Sequence, residues 1–100
     1  MIEIRQSETY KKWFEALKDR NARMRINIRV RRLSLGNLGD VKPVGGGVSE
    51  VRIDYGPGYR MYYVQKQKKI IVLLVGGDKS TQSKDIQKAQ ELALRMGDLE

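Results

Sequence analysis

Arg52, Arg60, Tyr62 and Lys79 are the side chains whose types and spacing point to chemistry. Arginine offers a planar fork of N–H donors that matches a phosphate bidentately, and lysine adds a compact positive charge. The chain has no histidine and no cysteine. It therefore lacks the usual neutral-pH acid–base residue, the commonest metal ligand and any thiolate site or disulfide. No metal and no cofactor are expected. Twenty Lys plus Arg against twelve Asp plus Glu leave a formal charge of +8. That balance favours a polyanionic partner, chiefly nucleic acid, or an acidic protein.

The element that must position these residues is an antiparallel meander from Val48 to Lys79. Val51, Ile53 and Tyr55 alternate with Glu50, Arg52 and Asp54, the period of a half-buried strand. Gly56-Pro57-Gly58 breaks the run, and Tyr59 to Val64 has the aromatic and branched residues of a second strand. After a turn near Gln67-Lys68, Ile70 to Val75 is an apolar run suited to a strand covered on both faces, and it stops at Gly76-Gly77. If Gly56-Pro57-Gly58 is the hairpin loop, Tyr55 faces Tyr59, Asp54 faces Arg60 and Arg52 faces Tyr62. A two-residue turn at Gln67-Lys68 sets Lys66 against Lys69 and Arg60 against Val75. Arg52, Arg60 and Tyr62 then share one face, with Lys79 emerging beside Arg60. Singly, each of these charges reads equally as a solvated surface group or, for Asp54 and Arg60, as a cross-strand pair.

The flanking segments supply the layers. Met1 to Arg5 alternates as a short strand. Ser7 is an N-cap, followed by Tyr10, Trp13, Phe14 and Leu17 on one helical stripe. Trp13 and Phe14 read as core rather than as a base-stacking platform, because they lie in that stripe. Arg23 to Arg31 alternates perfectly, as a strand does, yet Ala22, Ile26, Val30 and Leu33 also mark one face of a helix. Pattern alone leaves both readings open; as a helix, its arginines, Arg29 among them, form a basic flank. Val41 to Val44 is a short edge strand containing Lys42 and Pro43, and Gly45-Gly46-Gly47 is a flexible connector without the context of a P-loop. Ser80 or Thr81 caps a last helix with an apolar stripe of Ile86, Ala89, Ala93 and Met96, ending at Gly97. With 40% hydrophobic and 32% charged residues in 100, residues 1–100 make a single α+β domain. No apolar run approaches a bilayer span and no signal peptide opens the chain, so a cytoplasmic location is expected.

Several stretches together resemble the RelE/ParE toxin superfamily, and most closely its addiction-module killer (HigB-like) branch. They are Ile2-Glu3-Ile4-Arg5, Lys12-Trp13, Gly39 to Val44, Glu50 to Arg60 and Leu73 to Gln82. The resemblance covers nearly the whole chain. It implies a small antiparallel sheet with an N-terminal helical hairpin, so that Ala22 to Leu33 is helical, and a C-terminal helix. It also implies the toxin of a type II toxin–antitoxin system, an mRNA endonuclease acting with the ribosome and neutralised by a cognate antitoxin, expected to be of the helix-turn-helix type.

By that resemblance Arg60, Lys79 and Arg52 are the catalytic candidates. From residue type and register, Lys42 and Arg29 are RNA-contact candidates, Tyr62 reads first as a packing residue and second as an RNA contact by stacking or hydrogen bonding, and Asp54 positions Arg60. Attack of an RNA 2′-hydroxyl on its neighbouring phosphate needs no metal. Arg52 and Arg60 would bind and stabilise the phosphorane, while Lys79, if partly desolvated beside them, would relay protons. Two departures leave the acid and base open: a tyrosine found in the last helix of some RelE members falls near Ile86 here, and the histidine of other HigB-like members is absent. ParE-like relatives share the fold but inhibit DNA gyrase by binding, which is the alternative reading. A non-catalytic basic RNA-binding module is the other.

Overall fold

The computed structural model describes residues 1–96, and each element starts where the sequence offers a cap or a turn. Strand β1 (Glu3–Gln6) leads to α1 (Glu8–Ala16), whose N-cap Ser7 accepts from the Tyr10 amide. The same hydroxyl donates to the Leu74 carbonyl at 2.6 Å, fixing the start of the helix to the sheet. Asp19 then caps α2 (Arg20–Ser34) by accepting from the Asn21 and Ala22 amides. The alternating segment is thus a helix. Ala22, Ile26 and Leu33 are buried on one side of it with Val30 half-buried, and none of its residues pairs in a ladder. A strong cap and a 3.6-residue apolar stripe facing a sheet outweigh the coincidence of period-2 spacing.

Strands β2 (Val41–Gly45), β3 (Val48–Ile53), β4 (Tyr59–Lys66) and β5 (Ile70–Gly77) follow, then a 3₁₀ turn (Lys79–Thr81) and α3 (Gln82–Met96). The sheet runs β1-β5-β4-β3-β2. β2 to β5 form the antiparallel meander, and β1 joins its far side parallel to β5, so the sheet is mixed. The class and layers are those expected: α+β, with a helical hairpin before the meander and a helix after it. Gly97, expected to end α3, lies outside the described residues. α3 begins directly after Thr81, and the 3₁₀ turn before it has its own cap, Asp78, in a reciprocal capping box with Thr81. Gly45-Gly46-Gly47 is no slack connector. Gly45 pairs with Val48, leaving Gly46-Gly47, both at positive φ, as a tight two-residue hairpin.

Both inner registers differ from expectation, β3–β4 by two residues throughout and β4–β5 by one beside its turn and two beyond an irregularity. The β3–β4 loop is Asp54 to Gly58, so Ile53 faces Tyr59 and Arg52 faces Arg60. The β4–β5 turn puts Gln67 and Lys68 at positive φ and pairs Lys66 with Ile70 rather than Lys69. A register shift between Tyr62 and Tyr63 then brings Arg60 opposite Gly77, not Val75. A slip of two preserves faces, whereas a slip of one would exchange them. Arg52, Arg60 and Tyr62 therefore do share a face.

One sheet face packs under α1 and α2, where Val51, Ile53, Met61, Tyr63, Ile71 and Leu73 meet Tyr10, Ile26 and Leu33. The other packs under α3, where Val48, Tyr62, Val64, Val72, Leu74 and Val75 meet Ala89, Ile86, Leu92 and Met96. Gly76 and Gly77 serve opposite faces at the end of β5. A methyl on Gly76 would overlap the Trp13 ring, and one on Gly77 would overlap Asp85. Trp13 is thus half-buried, seated on Gly76 and edge-on to Tyr59 with 6.4 Å between ring centroids. It is core and not a stacking platform.

Candidate phosphate-binding site

Pairing Arg52 directly with Arg60 places two like charges side by side on the α3 face of the sheet. Such a pair is unfavourable unless something compensates it. Glu50 does so. It follows from the alternation of β3 that Glu50 and Arg52 point to the same face, and Glu50 is fully buried. One carboxylate oxygen accepts from Arg52 Nε at 3.0 Å. The other accepts from the Tyr62 hydroxyl at 3.1 Å and from Gln82 Nε2 at 2.8 Å. Arg60 Nε lies 3.7 Å from that second oxygen, close enough for an ion pair and too far for a hydrogen bond.

The electrostatics follow from these contacts. Burial alone would push the Glu50 carboxyl up. The hydrogen bonds from Gln82, Arg52 and Tyr62, with the charge of Arg52, outweigh it and hold Glu50 below the usual carboxylate range. Tyr62 is pushed well above its ordinary value, by burial first and by Glu50 second. Asp78, next to Gly77, is held down mainly by its hydrogen bond from Ser80, with Arg60 contributing.

Arg60 is only 8% exposed, and its Nη1 donates to the Gly58 carbonyl at 2.8 Å. Its Nε is buried with no hydrogen-bond acceptor among the described residues. This is the nitrogen turned toward Glu50, where an ion pair at 3.7 Å stands in place of a hydrogen bond. Beside the two arginines opens a groove of about 240 Å³, lined by Asp40, Arg52, Ile53, Asp54, Gly58, Tyr59 and Arg60. The Arg52 side chain is 41% exposed, and its terminal amino groups have no acceptor among the described residues. The arrangement can receive an anion in the groove and neutralise it from one side.

The family model for "Phage derived protein Gp49-like (DUF891)" matches residues 12–96. The chain belongs to this Gp49-like family. A Haemophilus influenzae (strain ATCC 51907 / DSM 11121 / KW20 / Rd) protein described as uncharacterized is 46% identical over 96 residues, covering 96% of this chain and 97% of its own. Among solved structures, a mutant of the Escherichia coli toxin RelE in the free state superposes with a TM-score of 0.72 at 17% identity, covering 90% of this chain and 95% of that one. RelE in the intact E. coli RelBE toxin–antitoxin complex matches with a TM-score of 0.65 at 17% identity, over 78% of this chain and 96% of that one. The Gp49-like chain thus has the RelE fold, as the sequence resemblance implied.

Not every expected residue of the Gp49-like chain reaches the site. Arg52 and Arg60 meet there. Lys79 stands next to them: its amide donates to the Pro57 carbonyl, and its Cβ and Arg60 Nη1 both lie against Gly58. The desolvation expected of Lys79 is not found, because the side chain is exposed. Tyr62 cannot touch RNA; it is fully buried and spends its hydroxyl on Glu50. Asp54 does not pair with Arg60. The longer loop moves it off the ladder to the exposed rim of the groove, and Glu50 holds the ionic role expected of Asp54. Lys42 is exposed on the outer strand, paired with Glu50. Arg29 belongs to the helical layer instead. Its guanidinium donates to the Arg52 carbonyl at 2.7 Å and the Leu38 carbonyl at 3.2 Å, bracing α2 against β3, and burial pushes it below its ordinary value.

Glu50 and Gln82 were not singled out from sequence. The signal was present: α3 carries an apolar stripe, so one more sheet face had to be covered, and a carboxylate at an inward position of β3 then needed partners. Among the described residues, no group of His, Cys, Asp and Glu is arranged to hold a metal ion, and no helix is long and apolar enough to cross a membrane.

Proposed function

We propose that this protein is the toxin of a type II toxin–antitoxin pair and cleaves mRNA on the ribosome, in the manner of the HigB-like branch. The observation that carries this reading is the Arg52–Arg60 pair, set on a RelE fold beside an open groove, with the Arg52 side chain exposed. The scissile phosphate sits against the two guanidinium groups. The 2′-hydroxyl attacks phosphorus as it loses its proton, the bond to the 5′-oxygen breaks, and that oxygen gains a proton. The products are a 2′,3′-cyclic phosphate and a 5′-hydroxyl, and no metal is required. The arginines stabilise the extra charge on the phosphorane, a task for which fixed donors are worth far more than mobile ones. Lys79 stands at the mouth as the mobile cation, able to bind the backbone or protonate the leaving oxygen. The ribosome holds the message in place, which makes a sparse site sufficient. The partner is an antitoxin, supported by the toxin–antitoxin complex among the structural neighbours, and the place of action is the cytoplasm.

Inducing the protein in cells and mapping mRNA ends tests the reading. Cuts within translated messages, absent when translation is blocked, are the expected result. Intact mRNA with DNA breakage would instead favour gyrase inhibition and overturn the nuclease.

A further inference from the structure

The buried carboxylate of Glu50 has partners on three separate elements, and what it does to the two arginines follows from which of their nitrogens it faces. Arg52 reaches it from the same strand, Arg60 and Tyr62 from β4, and Gln82 from the first turn of α3. On both arginines the nitrogen turned to Glu50 is Nε. The terminal amino groups are thus left over, apart from the bond of Arg60 Nη1 to the Gly58 carbonyl. Tyr62 and Gln82 carry no charge and donate to the same oxygen, Oε2. They fix the carboxylate without competing for the terminal nitrogens of the arginines.

We infer that Glu50 is a positioning residue: it clamps Arg52 and Arg60 by their Nε edges so that their terminal amino groups converge on one phosphate in the groove. Two arginines side by side would otherwise swing apart, and a buried carboxylate with no cation beside it would not stay ionised. Each half of the cluster explains the other. One negative charge between two positive ones leaves the three-residue cluster at +1, and the carboxylates of Asp40 and Asp54 also line the groove, so it is the converging donors rather than a net field that would select a phosphodiester. The Nε of Arg60 faces Glu50 at ion-pair range without closing a hydrogen bond, so that guanidinium has slack to close onto a ligand. Glu50 itself never touches the substrate.

The catalytic half of this inference rests on the nuclease reading; the structural half does not, and the test separates them. The first arm follows the Nε–Hε signals of Arg52 and Arg60 by ¹⁵N NMR in the intact protein, with inorganic phosphate as the probe. In wild type the two signals are dispersed and slow to exchange, and both shift with phosphate. In Glu50→Gln, which keeps the volume, they collapse toward the position of solvated arginines, and phosphate binding weakens at least several-fold. Dispersed, phosphate-responsive signals in a folded Glu50→Gln protein would overturn the inference whatever the protein does to RNA. Tyr62→Phe removes one hydrogen bond from Glu50 and leaves the charges alone, so it covers the case in which Glu50→Gln fails to fold. It is expected to move the same signals part of the way, and unchanged signals there overturn the inference too. The second arm measures mRNA cleavage on ribosomes. Glu50→Gln should lower kcat about 10–100-fold, the range seen when a residue that orients a ligating group is lost, with KM little changed because the ribosome supplies most of the binding. A uniform rise in KM at constant kcat would overturn positioning. If wild type shows the expected NMR behaviour and cuts no RNA, the nuclease reading falls and the clamp stands.

Discussion

The two faces of the sheet are built from the same strands and do different work. Under α1 and α2 the contact is almost wholly apolar, and the Tyr10 hydroxyl meets the Met61 sulfur at 3.3 Å. Under α3 only half the face is apolar, around Val64, Val72 and Leu74; the other half holds Glu50, Arg52 and Arg60. Gly76 and Gly77 sit side by side on the boundary, the first admitting Trp13 and the second Asp85. Close packing holds the first face together, and Glu50 keeps the like charges adjacent on the second. Substitutions on the first face should change stability and leave chemistry alone, and those of the two arginines on the second should change chemistry with little effect on stability.

The largest effect is expected from Trp13→Ala. Removing the ring from its seat on Gly76 and its contacts with Tyr10 and Tyr59 should cost roughly 3–5 kcal/mol in chemical denaturation. RNA cleavage per folded molecule should be unchanged. A marked loss of cleavage by the folded variant would revive a stacking role for Trp13 and erase the contrast between faces.

Arg60→Ala is the matching test on the α3 face. Loss of a preorganised charge at a phosphoryl transition state costs about 10²–10³ in rate. Arg60→Lys keeps the charge but not the fork, and should recover little of it. Thermal melting controls for folding, since Glu50 loses one cation and keeps Arg52. A folded Arg60 variant cutting at the wild-type rate would remove the site from this face.

The faces were legible in the sequence while the registers were not, and the reason is parity. The β3–β4 pairing was off by two residues, as was β4–β5 from Tyr62 to Arg60, which leaves Arg52, Arg60 and Tyr62 on one face; nearer its turn β4–β5 was off by one. Turn lengths decide register, and neither the five-residue loop after Ile53 nor the irregularity between Tyr62 and Tyr63 has a signature as plain as the glycines of Gly46-Gly47. Glu50 was hidden for another reason, the cover that α3 lays over its face. Read as an outward position it needed no partner, and Asp54 took its place opposite Arg60. The segment Met24 to Val30 shows the converse: its strand-like alternation was real in the sequence and decided nothing, because the cap at Asp19 and the face of Ile26 and Leu33 fixed a helix.

A smaller effect concerns the antitoxin. With a formal charge of +8 the protein should associate with an acidic partner at a rate that falls as salt rises. Stopped-flow association at several ionic strengths measures this. A rate independent of salt would mean that the basic α3 face takes no part in recognition.

The smallest effect is a difference in acid stability, and its sign is set by Glu50. The folded protein holds this carboxyl below its ordinary value because the hydrogen bonds from Gln82, Arg52 and Tyr62 outweigh its burial. The unfolded chain therefore takes up the proton first as pH falls. The contribution of Glu50 is fully present above the unfolded carboxylate value, about 4.3, and is lost as pH drops from there through the lower folded value. Asp78 is shifted in the same direction and Asp85 in the opposite one, raised chiefly by burial, so the total slope of the wild type mixes all three. Subtracting the curve of Glu50→Gln isolates the one group, since glutamine does not titrate. Urea midpoints for both proteins between pH 6 and 3 should converge as pH falls, the wild type losing its advantage below about pH 4.3. If the gap between them instead widens on acidification, Glu50 is held above its ordinary value, burial dominates, and the arginines are not its counterions.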